Sequence, residues 1–470
     1  MKMWSGRFGE PLDPSFEKWQ RSFDFDKRLL PYELAASGAH ARALREAGIL
    51  TADELIAILQ GLDEIGKLAS LSPEFLNDQD AEDVHHFVEK QLVALIGDVG
   101  YKLHSGRSRN EQIATDLRLY VRASIDHLLV DTASLCDAIL DRAEQAGTAA
   151  MPSYTHLQRA EPVLVAHWLL AYCEMFLRDV SRLADCRMRL NVCPLGSGAV
   201  AGATLPLNRK AMATELGFDG PTANSIDSTA DRDFAIEFVH ALSLFALHLS
   251  RWAEEMILFS SQEYSFIQLP EAYSTGSSAM PQKRNPDLLE LARGKAGRVI
   301  GDAIALQVTL KGLPLAYNKD LQETQESLFS ATETMLALVP LVTGWMRNVE
   351  FNYDRMSEAS QSGFMNAWAA ATYLVKRGVP FRLAHEQVGK AVRLCLDKNC
   401  RLEDLALADW QALNPAFSGD IFEHLKLESV IAIHNVPGGT AASRVREALA
   451  EARQKVESIP VIRGGVHAHA

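Results

Sequence analysis

The sequence predicts an all-α subunit of three domains with a central bundle of long helices, and three observations carry that reading. The stretch 110–145 contains neither Gly nor Pro, and Ile113, Leu117, Tyr120, Val121, Ile125, Leu128, Leu129, Leu135 and Ile139 recur at helical spacing. At 1.5 Å per residue it spans roughly 55 Å, too long to fold back within one small domain. Four more long candidates follow, at 162–191, 233–263, 288–311 and 322–346. Helices of this length imply an extended bundle, and leftover apolar stripes on such bundles favour association. Strands do not alternate with helices, and no glycine-rich turn follows a strand, which argues against a dinucleotide-binding sheet.

The elements fall in order along the chain. Residues 1–20 are irregular, with Trp4, Phe8 and Phe16 as packing anchors. Helices rich in Ala, Leu and Glu are expected over 29–47 and 52–68. Gly48 closes the first and Thr51 caps the second. A further helix covers 83–96. In 288–311 the apolar stripe is Leu288, Leu291, Ala292, Val299, Ile300, Ile304 and Leu306. A shorter helical region begins at Pro380 and is broken at Pro437-Gly438-Gly439, and 464–470 reads as a flexible tail. The expected division is an N-terminal helical domain (1–108), a central bundle carrying oligomerisation and active-site loops (109–360) and a C-terminal helical domain (361–470).

Composition narrows the function. The 470 residues are 47% hydrophobic and 23% charged, ordinary for a soluble globular protein. A net charge of −13 argues against general binding to nucleic acid or a membrane surface, but leaves room for a local Lys/Arg pocket for an anionic substrate. The six cysteines show no Cys-x-x-Cys pair and no zinc spacing, so they read as buried thiols in a reducing compartment. The N-terminus lacks the apolar core of a signal peptide. The longest apolar runs, near 168–177 and 335–342, are too short to span a bilayer. The expected location is the cytoplasm.

The chemistry concentrates in Gly276-Ser277-Ser278-Ala279-Met280-Pro281-Gln282-Lys283-Arg284-Asn285-Pro286-Asp287. Pro270, Gly276, Pro281 and Pro286 exclude a continuous helix. Serine hydroxyls, free backbone N–H groups, Lys283 and Arg284 together suit an anion, or an oxyanion that develops during a reaction. The plainer reading is a solvated connection ending in a helix start, with Asn285 as N-cap and Pro286 in the first helical position.

Other polar clusters precede predicted helices. In the run from His104 to Gln112, Ser108 fits an N-cap, and Arg107, Arg109 and the helix N-terminus attract a carboxylate. Tyr154-Thr155-His156-Leu157-Gln158-Arg159 holds a histidine suited to acid/base work near neutrality. Asp231-Arg232-Asp233 and the run from Leu313 to Glu323 are further polar segments at helix starts.

Five of these clusters resemble, in order, the motifs of the argininosuccinate lyase family within the fumarase/aspartase superfamily. The 276–286 loop is similar to the superfamily signature Gly-Ser-Ser-x-Met-Pro-x-Lys-x-Asn-Pro. Met280-Pro281-Gln282-Lys283 is the argininosuccinate lyase version, although Lys283-Arg284-Asn285-Pro286 also occurs in adenylosuccinate lyase relatives. The 105–112 run resembles Thr-Gly-Arg-Ser-Arg-Asn-Asp-Gln, with Ser105 and Glu111 as departures. Residues 155–162 resemble Thr-His-Leu-Gln-Arg-Ala-Gln-Pro, with Glu161 replacing Gln. The N-terminal Trp4-Ser5-Gly6-Arg7-Phe8 and the 313–323 stretch complete the match.

The resemblance implies a fumarase/aspartase-like homotetramer whose active sites are shared between subunits, and reversible cleavage of argininosuccinate to arginine and fumarate in arginine synthesis. No metal or organic cofactor is implied. It also implies Ser277 as base, Lys283 and Asn285 as stabilisers of the intermediate, and His156, held by Glu290, as the group assisting departure of the guanidinium. Ser22, Arg109, Asn110, Thr155, Arg232, Tyr317 and Gln322 fall on substrate-binding positions. Gln325 stands where the family usually has lysine, which removes one expected positive charge. Two rivals remain: another lyase of the superfamily, foremost adenylosuccinate lyase, and a non-catalytic structural protein like the lens crystallins of this family.

Overall fold

The computed structural model describes residues 10–459. The expected anchors Trp4 and Phe8, the motif at residues 4–8 and the tail at 464–470 lie outside the described residues. Three helices, α1 (Leu30–Glu46), α2 (Ala52–Leu71) and α3 (Val84–Ile96), form an N-terminal layer. Local chemistry sets their ends. Gly48 takes φ +76° just past α1, a conformation that costs glycine little. Thr51 and Glu54 make a reciprocal capping box on α2. Asp83 caps α3 by accepting from the His86 N–H at 2.7 Å.

The bundle consists of α4 (Arg109–Ala146), α5 (Val165–Leu190), α6 (Asp233–Ser260), α7 (Asp287–Leu310) and α8 (Glu323–Asn348). α4 packs on α5 and α8, while α6 packs on α5, α7 and α8. Every apolar position expected to face the core of α4 is buried, and each large aliphatic side chain so buried contributes about 1.5–3 kcal/mol. Trp252 and Trp345, both fully buried, meet edge to face with ring centres 5.0 Å apart.

Two expectations are corrected, and the reading of the apolar runs is extended. The helix expected from residue 162 begins at Val165, because 158–164 is a strand. β1 (Ala150–Thr155) and β2 (Gln158–Leu164) form an antiparallel hairpin, with Thr155 opposite Gln158 and Pro152 opposite Pro162. Pro162 fixes its own φ and holds the residue before it in an extended conformation. The single stripe expected on α7 is two faces. Ala292, Val299 and Leu306 are buried with Leu289, Ala296 and Ala303, whereas Leu291, Ile300, Ile304 and Val308 are exposed. Finally, α6 and the segment Lys319–Asn348 are long and apolar enough to cross a membrane by length and composition. Uninterrupted apolar runs miss this because polar residues punctuate both helices. In each, 56% of the apolar window is buried inside the bundle, as in a core helix.

Beyond the bundle, α9 (Phe381–Lys398) belongs to a second hydrophobic core with Tyr373, Trp410 and Phe417. The chain then returns: α10 (Leu427–Ala432) lies against β2, and α11 (Ala442–Glu457) lies along α4 and α5. There Arg453 pairs with Asp137, Asp141 and Glu144 of α4. Cys136, Cys173, Cys186, Cys193 and Cys395 are buried, Cys400 is half-buried, and all six are free thiols. Truncating Trp345 to Ala removes one half of the buried tryptophan pair. It is expected to lower unfolding stability by about 3–5 kcal/mol, read from the urea transition.

Candidate active site

The 276–287 stretch is a hairpin rather than an irregular loop. β3 (Thr275–Gly276) and β4 (Arg284–Asn285) pair antiparallel, Thr275 opposite Asn285 and Gly276 opposite Arg284. Two devices close its base. The Asp287 carboxylate accepts from the Thr275 N–H at 3.1 Å and the Thr275 hydroxyl at 2.7 Å, which holds its carboxyl below the usual range. The Arg284 guanidinium donates to the Leu269 carbonyl at 2.8 Å and to Glu271 at 2.6 Å.

Asn285 is not the N-cap of α7. Its amide donates into the hairpin, to the Thr275 hydroxyl oxygen and the Gly276 carbonyl, both at 3.4 Å. The helix starts behind Pro286 with no side-chain cap. At the turn, Ser277 Oγ accepts from the backbone N–H groups of Ala279 at 3.3 Å and Met280 at 3.1 Å. Two amides aimed at one oxygen favour negative charge on it. Lys283 is exposed on the same loop.

Thr155 and His156 sit at the tip of the β1–β2 hairpin, exposed. His156 and Leu157 are its two turn residues, with φ of +55° and +54°. Tight two-residue turns demand this left-handed geometry, which glycine and asparagine usually supply. Glu290, expected to hold His156, is exposed in the first turn of α7, and no hydrogen bond or ion pair joins the two among the described residues.

A third group lies at the start of α4. Ser108 and Glu111 form a capping box, and Glu111 also accepts from the Gly198 N–H at 2.7 Å. The arginines expected to attract a substrate carboxylate also have partners within the protein. Arg109 pairs with Asp83. Arg107, whose side chain is buried, donates to Ser37 Oγ at 2.8 Å and lies 3.7 Å from Glu33. Ser22, also buried, donates to Asp26 at 2.6 Å. The Gln322 amide donates to the Gln20 carbonyl at 3.0 Å, and half-buried Asn110 follows Arg109. Tyr317 lies within electrostatic reach of Arg232, Asp83, Glu82 and Arg109, and its burial raises the phenol pKa. Arg232 is fully buried: its Nη1 donates to the Asp231 carbonyl at 2.7 Å, while Nε and Nη2 lack partners. Burial lowers its pKa to about 10. Gln325 is buried with an unpartnered Oε1. A cleft of about 810 Å³ in the N-terminal layer is lined by Arg109 alone of the predicted contacts.

Behind this third group is a charge network that motif reading passed over. His85 Nε2 is 3.0 Å from Asp116 and 3.8 Å from Glu33, and Nδ1 is 3.6 Å from Asp83. Gln112 and Ser37 also donate to Glu33, at 3.0 and 2.5 Å. Among the described residues, Glu33, His85 and Asp116 are the one set whose donor atoms are close enough for a metal ion. Arg107 and a charged His85 already neutralise these carboxylates, so we read the set as a buried ion network. Burial alone would strip the His85 proton, but Asp116, Asp83 and Glu33 outweigh it and raise the pKa to about 10. Burial and the Glu33 charge lift Asp116 to about 8. Asp83 is lowered: burial opposes this, and the Arg109 charge prevails. The available signal was Asp83-x-His85 at a helix start.

The folded state therefore holds protons here that an unfolded chain has released at neutral pH. The His85 contribution is complete below pH 6.5, the ordinary value, and is lost as pH rises through about 10. The Asp116 contribution is complete below 3.8 and is lost through about 8. Stability is thus expected to fall between pH 7 and pH 10. Urea midpoints across that range should show the slope, and His85→Gln should flatten it.

Within one chain, no hydrogen bond or ion pair joins the Ser277 hairpin, the His156 tip and the Ser22–Arg109–Tyr317 group among the described residues. A lyase family model matches residues 6–301, and an argininosuccinate lyase C-terminal model matches residues 364–432. The argininosuccinate lyase of Koribacter versatilis is 57% identical over 98% of both chains. That of Acidobacterium capsulatum is 56% identical over 99% of this chain and 97% of the relative. Among solved structures, an EDDS lyase in complex with formate superposes with a TM-score of 0.81 at 28% identity, covering 96% of this chain and 91% of that one. With both family models matched and relatives more than half identical over nearly their whole length, the chain belongs to the argininosuccinate lyase family.

Proposed function

We propose that the protein catalyses the reversible elimination of argininosuccinate to L-arginine and fumarate, the closing step of arginine synthesis, in the cytoplasm. The observation that carries the site assignment is Ser277 Oγ held under the Ala279 and Met280 amides in a chain of this family. A proton leaves the carbon next to a carboxylate, giving a dianionic aci-carboxylate, and the bond to the guanidinium nitrogen then breaks. A serine hydroxyl is a weak base unless its alkoxide is stabilised, and the two amide donors supply that stabilisation. Lys283 and Asn285 serve the dianion. His156, beside Thr155, assists proton transfer to the departing guanidinium, with Glu290 as its partner. Ser22, Arg109, Asn110, Arg232, Tyr317, Gln322 and Gln325 contact the substrate. The elimination needs only protein groups.

Such a site assembles between subunits of a homotetramer. The uncovered face of α7 supports this. Leu291, Ile300, Ile304 and Val308 are exposed there, and an added Cβ at Gly294, Gly297 or Gly301 would meet nothing within 4 Å. Small residues on a helix face allow close approach by another helix.

Fumarate absorbance tests the substrate. Release from argininosuccinate but not from adenylosuccinate is expected, with kcat reduced about 10²–10³-fold or more in Ser277→Ala. Release from adenylosuccinate alone would assign the chain to the other lyase, and a folded protein silent on both would point to the structural-protein reading. For the assembly, Ile304→Glu with Val308→Glu should shift the particle from tetramer to smaller species in sedimentation. Argininosuccinate turnover should fall in parallel.

A further inference from the structure

We propose that Thr440, seconded by His434, is a positioning residue that holds the His156 hairpin in its working geometry. The inference rests on the reading of His156 given above. The hairpin tip is strained, since His156 and Leu157 are both left-handed without being glycine, and such strain persists only where surrounding structure enforces it. The tip itself is exposed; beside it Arg159 pairs with Ser362 and Tyr154 packs on Phe259 and Tyr264, and a further restraint acts at the base.

There, Leu164 is the last residue of β2 and stands opposite Ala150. Its N–H is buried at the junction with α5, where the first turn of a helix leaves donors without partners. The acceptor is Thr440 Oγ1 at 2.8 Å, supplied from 276 residues further along the chain. Thr440 is itself 5% exposed. Three residues from the base, the Glu161 carboxylate lies 3.4 Å from His434 Nε2. The Glu161 backbone is fixed by Ser153, whose hydroxyl donates to its carbonyl at 2.7 Å and accepts from its N–H at 3.2 Å.

The segment that delivers both side chains is the Pro437-Gly438-Gly439 break. Gly438 takes φ +79°. A Cβ on Gly439 would lie 2.1 Å from the His434 carbonyl oxygen and 2.9 Å from that of Val436, so the turn closes only with glycine. Its return brings the Ala441 N–H back to the His434 carbonyl at 3.3 Å. The turn thus presents a hydroxyl and an imidazole to one strand from one rigid piece. β2 then carries any displacement at Leu164 along about 20 Å of strand to the tip.

The test is a double-mutant cycle with steady-state kinetics on argininosuccinate, each variant checked for tetramer and melting temperature. Thr440→Val leaves the Leu164 N–H unsatisfied at nearly constant volume. It is expected to lower kcat about tenfold with KM changed less than about twofold. Thr440→Ser keeps the hydroxyl and should restore most of the rate. In a His156→Ala background, Thr440→Val should have no further effect, because its action passes through His156. Equal losses in both backgrounds, or an unchanged kcat in Thr440→Val where His156→Ala is impaired, would overturn the positioning role alone. An unchanged kcat in His156→Ala would overturn the underlying assignment of His156 and the proposal with it.

Discussion

The packing of this chain is referred to one helix, Arg109–Ala146, and that helix is fixed by charge at its first turns. Its N-terminus is clamped by Arg107 to Glu33, by Arg109 to Asp83 and by Glu111 to the Gly198 amide. His85 joins Asp116, one turn further in, to the same carboxylates. Ion networks this deep repay their desolvation only when nearly every member is paired, so losing one partner costs far more than any single contact contributes. The consequence is rigidity where the chain passes from the N-terminal layer into the bundle. Ser22 and Tyr317 are set against the same network, one through Asp26 and the other through the field of Asp83 and Arg109.

Most of the helical architecture was legible because it depends on spacing. The nine apolar positions of α4 follow the helical period and all are buried. Thr51 and Ser108 are caps whose partners stand at fixed offsets. Elements set by tertiary contacts were not legible. The β1–β2 hairpin turns on His156 and Leu157, which lack the Asn-Gly signature of a tight turn. Its register is completed by Thr440, far away in sequence. Asn285 looked like a helix cap because Asn-Pro is a good helix start, yet the pairing of Thr275 with Asn285 turns its side chain into the hairpin.

Candidate site residues divide in the same way. Motif matching singled out the 276–286 and 155–162 stretches and the positions Ser22, Arg109 and Tyr317, without the hairpins that carry the first two. It passed over His85 and Asp116, which lie inside helices and carry no motif of their own. Charge alone suggested that Arg107 and Arg109 attract a carboxylate, and the fold adds their protein partners Glu33 and Asp83. A sequence exposes a charge, but only the fold shows what neutralises it. That distinction matters for Arg232, which retains two unpartnered nitrogens at full burial, whereas Arg107 keeps only its Nε without a partner.

The six thiols carry one more consequence. Cys136, Cys173, Cys186 and Cys193 lie in the bundle core, and Cys395 lies in the separate core around Trp410. Burial pushes the thiols of Cys186, Cys193 and Cys395 up to about 12, so at neutral pH they are protonated and shielded. An alkylating reagent reaches them only when the surrounding core opens. The native cysteines are therefore two sets of built-in clocks, one for each core, and their labelling rates measure how independently the bundle and the 370–425 unit breathe.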